Sequence, residues 1–214
     1  MAGTVTALET QKRSRDRINV YLDGEYAFSL AVLFAVNLKV GVLLSDEEIT
    51  RLRTADEVER ARSQVLDYLS YRPRSEWEIR SYLLKRKISS SAIDTVVKAL
   101  SEVNLIDDSA FTQYWLENRA QFRPKGKRVL IQELRQKGVS SQLINDTLEQ
   151  YDEEAAARRV FEEQARRLNN IAPDVFRRRI MERMARRGFS YELIRDLIND
   201  HNYSQSHYFN NEED

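Results

Sequence analysis

The chain has 214 residues, 42% of them hydrophobic and 32% charged, with 34 basic residues balancing 34 acidic ones. The absence of cysteine excludes disulfides, thiol catalysis and zinc–thiolate sites and fits a reducing, cytoplasmic setting. No basic-then-apolar leader is visible and no stretch approaches the roughly 20 apolar residues that span a bilayer, so no membrane role is expected.

The first thirty residues read as strands. TVTALET and RINVYLDGEYAFSLA alternate in hydrophobicity, and Asp23-Gly24 is the two-residue signal of a type I′ hairpin. A small antiparallel meander needs a helix to lean on, and AVLFAVNL is expected to form a short one ending near Gly41. Ser45-Asp46-Glu47-Glu48 has the form of a capping box and starts a long helix, after which the chain reads as helical almost to its end.

An internal repeat organises that helical part. LLKRKISSSAI (from Leu83), LRQKGVSSQLI (from Leu134) and MARRGFSYELI (from Met184) align without gaps, 51 and 50 residues apart at Lys87, Gly138 and Gly188. Leu83, Leu134 and Met184, with Ile79, Leu130 and Ile180 one turn earlier, form the apolar stripe of one helix. Gly138 and Gly188 suit left-handed helix ends, whereas Lys87 implies strain there. Ile88, Val139 and Phe189 plug the corner, Ser89, Ser140 and Ser190 start the next helix, and Ile93, Ile144 and Ile194 lie on its buried face. Upstream helices are expected over Ala61–Arg72, Ser109–Phe122 and Ala155–Leu168.

The expected fold is therefore mainly α: a tandem array of three three-helix repeats, elongated and curved, behind a small N-terminal antiparallel β-hairpin or meander. The expected domains are 1–44 (strands and short helix), 45–108 (linker helix and first repeat), 109–154 (second repeat), 155–202 (third repeat) and 203–214 (disordered tail). Units of about 50 residues lie near the lower limit for an independent core, so neighbours must brace one another.

The residues argue against an enzyme. His201 and His207 sit in a polar C-terminal stretch without the spacing or company of a metal site, and a frayed tail is the plainer reading. RPKGKR lacks the frame of a phosphate loop, and Asp107-Asp108 reads as a helix start rather than a metal site. No cofactor is implied. Phe111, Tyr114 and Trp115 share a helical face and read as core.

The basic positions carry more. From Ala155 to Gly188 ten arginines face Glu162, Glu163, Asp174 and Glu182, a net of +6. From Phe189 to the C-terminus six acids face Arg195, a net of −5. Arg123, Lys125, Lys127 and Arg128 crowd an exposed turn at the start of one helix, with Arg135 and Lys137 at its end. Arg177, Arg178, Arg179, Arg183, Arg186 and Arg187 occupy the equivalent helix of the third repeat. Such faces can grip a phosphate backbone, or serve as solvated helix surface laced with ion pairs.

YRPRSEWEIRSYLLKRKIS, NLIDDSAFTQYWLENR and RPKGKRVLIQELRQKGVSSQLI together resemble the RecX family, regulators of the RecA recombinase. The resemblance is dense from Ala61 to Tyr151 and looser in the third repeat; YLDGEYAF is similar to the N-terminal piece of longer members. Departures are Lys87 and Asn104, where the family prefers or often has glycine. The resemblance implies a monomeric modulator that lies along the groove of the RecA filament on single-stranded DNA. It implies mostly inhibition of strand exchange, ATP hydrolysis and co-protease activity, and in some members direct DNA binding. Its contacts are expected at Lys125, Gly126, Lys127 and Arg128, flanked by Arg74 and the Arg177–Arg179 cluster. The alternatives are a DNA-binding module independent of RecA and a structural adaptor for another protein.

Overall fold

In a computed structural model, the chain is described over residues 2–12, 14–168 and 171–210, with the side chains of residues 14, 15 and 203–210 outside the description. It divides into two compact units. The first runs through Arg72 and includes Ile79–Ile106; the second comprises Pro73–Glu78 and the chain from Asp107 onward.

The first unit opens with an antiparallel sheet of β1 (Gly3–Gln11), β2 (Ser14–Leu22), β3 (Glu25–Ala31) and β4 (Leu43–Leu44), in the order β3-β2-β1-β4. Asp23 and Gly24 both take positive φ, 50° and 91°, as the predicted turn requires. The short helix is briefer than expected: α1 covers only Val32–Ala35, starts without a side-chain cap, opens on β-branched Val32 and is followed by Val36. The sheet leans on α2 (Asp46–Leu69), whose Ile49 joins Val5, Val20, Phe28, Leu30 and Leu44 in one cluster.

An ion pair between half-buried Arg17 and buried Asp56 fixes that contact. Arg17 donates from both guanidinium ends to Asp56 on α2, at 3.1 and 2.8 Å, and Asp56 also accepts the Ala31 amide at 2.7 Å. Every face of the buried carboxylate thus has a donor, which is what makes its burial tolerable. Ser45 and Glu48 form the capping box predicted for α2. The linker helix and the first helix of the first repeat, read separately from the sequence, are this one continuous helix.

The rest is helical: α3 (Glu76–Lys85), α4 (Ser90–Glu102), α5 (Asp108–Phe122), α6 (Lys127–Gln136), α7 (Ser141–Leu148), α8 (Glu153–Arg167), α9 (Pro173–Arg186) and α10 (Tyr191–Asn210). The three repeats each have their own core. The stripes Ile79/Leu83, Leu130/Leu134 and Ile180/Met184 are fully buried, and the corner residues Ile88, Val139 and Phe189 and the third-helix residues Ile93, Ile144 and Ile194 are buried beside them. Ser89 and Ser140 cap α4 and α7 as read from the sequence. Phe111 is fully buried and Trp115 packs on the same core.

His201 departs from the expectation of a frayed tail. It lies within α10, stacked on Phe176 at 5.5 Å and edge-on to Phe161 at 5.4 Å, so its ring closes the third core. The expected tail, 203–214, lies outside the described residues except for helical backbone to Asn210.

Lys87, Gly138 and Gly188 all end their helices with positive φ, at 61°, 76° and 93°. Lys87 therefore adopts the left-handed conformation at a cost of about 1 kcal/mol. Lys87→Gly is expected to raise stability by roughly that amount in urea or thermal unfolding; unchanged or lower stability would show that the lysine side chain compensates.

Candidate interaction surface and the joints that shape it

The turn Arg123–Arg128, expected to be an exposed basic contact, is engaged within the protein at Lys125 and Arg128, while Arg123 stays exposed. Pro124 and Gly126 are buried. Lys125 ion-pairs with Glu133, which also accepts Trp115 Nε1 at 3.0 Å and Arg119 Nε at 2.8 Å. Burial alone pushes the Glu133 carboxyl up, but hydrogen bonds from Lys125, Arg119 and Trp115 outweigh it and hold the carboxyl below its ordinary value. The Lys125 carbonyl accepts the hydroxyl of Tyr151 at 2.8 Å, and desolvation pushes that phenol up to about 12.

Helix starts leave amides without intrahelical acceptors, and here the following repeat supplies them. Gly126, the residue before α6, donates its amide to the Arg187 carbonyl at 3.0 Å. Lys127, the first residue of α6, donates its amide to Glu153 at 2.8 Å, and Glu153 is the first residue of α8. Arg128 reaches the Ala185 carbonyl at 3.2 Å. The approach is close enough to require glycine at both surfaces: a Cβ on Gly126 would collide with the Gly188 carbonyl, and one on Gly188 would lie 2.6 Å from Val129 Cγ2.

The same arrangement recurs at the start of α3, whose first turn belongs to the second unit. Ser75, fully buried, donates its hydroxyl to the Lys137 carbonyl at 2.7 Å and caps the Glu78 amide at 3.2 Å. The Glu76 amide goes to Asp108, the first residue of α5, at 2.8 Å. Trp77 fills the space a Cβ on Gly138 would need, with its Cγ at 2.8 Å, and Lys137 ion-pairs with buried Glu78 at 2.6 Å. Asp107 caps α5, while burial pushes the Asp108 carboxyl up despite its bond to the Glu76 amide. The aspartate pair thus divides into a cap and a clasp. The third repeat differs: α9 starts four residues earlier in the repeat register, at Pro173, so that Arg177, the counterpart of Glu76 and Lys127, lies inside the helix.

The other sequence-predicted contacts sort accordingly. Lys137 is paired as described, Arg183 donates to buried Gln164 at 2.8 Å, and Arg74 is half-buried and engaged. Arg123, Arg135, Arg177, Arg178 and Arg179 are exposed, without a side-chain partner among the described residues. Arg177, Arg178 and Arg179 form a run of three exposed cations on one turn of α9 between buried Phe176 and Ile180. Sequence reading missed Ser75, Trp77, Glu133, Tyr151 and Glu153; the one signal available was that Ser75 and Gly126 occupy equivalent repeat positions. Among the described residues no three His, Cys, Asp or Glu side chains stand together as a metal site needs, and no helix is long and apolar enough to cross a membrane.

Comparison with known proteins covers the whole array. Residues 3–45 match the model of the regulatory protein RecX N-terminal domain; residues 61–100, 107–148 and 152–198 match the first, second and third RecX three-helix domains, in order. A regulatory protein RecX from Bacillus pumilus is 33% identical over 196 residues, covering 89% of this chain and 74% of the relative. This chain belongs to the RecX family. A Bacillus licheniformis RecX is 30% identical over 204 residues, covering 93% of this chain and 78% of the relative. A crystal structure of a regulatory protein RecX is 30% identical, with a TM-score of 0.67, covering 92% of this chain and 99% of that one. RecX from Lactobacillus salivarius, 23% identical over 68% of this chain with a TM-score of 0.61, shares the fold.

Two measurements check the joints of this RecX protein. Gly126→Ala and Gly188→Ala are each expected to cost about 1 to 3 kcal/mol in equilibrium unfolding, the range for overpacking a closed contact; a neutral result would mean that the α6 start does not seat on the α9 end. Because the Glu133 pKa is depressed in the folded state, its contribution is present above the unfolded value near 4.5 and lost as pH falls through the lower folded value. Glu133→Gln should therefore lower stability at neutral pH and flatten its fall below pH 4.5, whereas an unchanged acid limb would contradict the role of this cluster.

Proposed function

We propose that this protein binds the RecA filament on single-stranded DNA, lies along its groove, and restrains strand exchange, ATP hydrolysis and co-protease activity. It acts as a non-catalytic, monomeric modulator in the cytoplasm. The observation that carries the reading is the uninterrupted succession of four RecX domains along the chain. The physics is compatible with it: a tandem array offers one weak contact per repeat, and linked weak contacts to a polymer reinforce one another through effective concentration.

The free cations Arg177, Arg178 and Arg179 are the first choice for contact with an acidic filament surface or DNA. The same cluster favours a second reading, a DNA-binding module that needs no recombinase; tight, steeply salt-dependent binding to naked single-stranded DNA would mark it.

Sub-stoichiometric protein is expected to slow the DNA-dependent ATPase of its cognate RecA. Replacing Arg177, Arg178 and Arg179 together by glutamate is expected to raise the protein needed for half inhibition by about tenfold or more. An ATPase that runs unchanged at saturating wild-type protein would end this reading.

A further inference from the structure

The three first helices of the repeats can be superimposed by their buried positions: Ala61 and Val65 in α2, Thr112 and Leu116 in α5, Ala157 and Phe161 in α8. This alignment brings Tyr71, Phe122 and Arg167 to one equivalent position, at or just past the end of the helix. Arg167 is what a solvent-facing helix end favours: a cation, 65% exposed, paired with Glu163 at 2.7 Å. In the other two repeats the same solvent-facing position holds an aromatic ring, Tyr71 at 85% exposure and Phe122 at 67%. Neither contributes to a core, and Tyr71 has no hydrogen-bond partner among the described residues. Exposed apolar side chains scattered singly need no explanation. Two rings at one repeat position, each followed by Arg-Pro, are not scatter.

We propose that Tyr71 and Phe122 are anchors, each on its own repeat, that insert into apolar clefts on the subunits of a protein polymer. The inference rests on the filament-binding reading and names residues through which that binding occurs. Aromatic rings suit the task because each buries 150–250 Å² (about that range for an aromatic side chain) while freezing only two torsions. The backbone beside Phe122 is already held. The Arg123 amide bonds Arg119 at 2.9 Å, Pro124 fixes its own φ, and the Lys125 carbonyl is tied to Tyr151. An anchor on a rigid mount loses little entropy on docking.

The surroundings favour a protein cleft over stacked bases. Asp67, exposed one turn before Tyr71, repels phosphate, and Leu66 beside it adds exposed apolar surface. Exposed Arg123 after Phe122 matches a carboxylate at the rim of the cleft.

The test uses the full chain carrying Tyr71→Gln, Phe122→Gln, both together, and the conservative swaps Tyr71→Phe and Phe122→Tyr. Co-sedimentation with RecA filaments assembled on single-stranded DNA is measured alongside anisotropy on naked single-stranded DNA and thermal melting. Each glutamine variant is expected to weaken filament binding by about 5- to 30-fold, the double variant by more than either, and the conservative swaps by under about threefold. Melting and naked-DNA binding stay at the wild-type level, since both positions are exposed. A folded double variant that binds filaments like the wild type overturns the anchors and leaves the filament reading standing. Equal losses on naked DNA overturn the protein cleft in favour of base stacking. A wild-type protein that does not sediment with filaments overturns the underlying reading and the anchors with it.

Discussion

A helix that begins against another part of its own protein must find acceptors there for its first backbone amides, because an unsatisfied buried amide costs about 1 to 3 kcal/mol. In this chain the acid that opens the next repeat's first helix accepts the amide: Asp108 for Glu76, Glu153 for Lys127. The residue just before each clasped amide bonds a carbonyl beside a glycine helix end, Ser75 with Lys137 and Gly126 with Arg187. Repeats of this size are too small to be secure alone, and the clasp lets one helix's electrostatic need become the bond to its neighbour. A carboxylate serves because both clasped amides sit at the positive end of a helix.

The joint decides which residues remain for a partner. Lys125 is bound to Glu133, the Lys127 amide to Glu153, and Arg128 to a carbonyl of α9. Among the described residues the second unit leaves exposed and unpaired the arginine run of α9, together with Arg123, Arg135 and Arg158, while Lys127 is bonded through its amide and not its ammonium. Paired and solvent-exposed cations thus lie within a few residues of one another. In a RecX protein this matters because substitutions in the Pro-x-Gly turn would disturb the array before they reported on any partner contact.

The repeat was legible because it is written in residues with a single strong reason: paired aliphatics one turn apart, a serine cap, a left-handed glycine. Those signals are local and survive without knowledge of the neighbours. The capping box at Ser45, the type I′ turn at Asp23-Gly24 and the strained Lys87 are of the same kind. The clasps were not legible, because Glu153 and Lys127 lie 26 residues apart and nothing local distinguishes a clasping acid from a capping one. The basic turn shows the same limit: its charge is visible in sequence, the pairing of Lys125 with Glu133 is not. His201 was assigned to a tail on composition, while its partners Phe161 and Phe176 lie on other helices. Gly138 and Gly188 were read through φ alone; the second demand, close approach by Trp77 and Val129, exists only between helices. Lys87 shows that the φ demand by itself can be met by lysine.

Amide hydrogen exchange at Glu76, Gly126 and Lys127 tests the joint most directly, since amides at a free helix start exchange nearly as fast as those of an open chain. All three are expected to be protected to a degree approaching the buried amides of their unit, with Lys127 released when Glu153 is replaced by alanine. Rapid exchange of these amides in the folded wild-type protein would contradict the clasped joint.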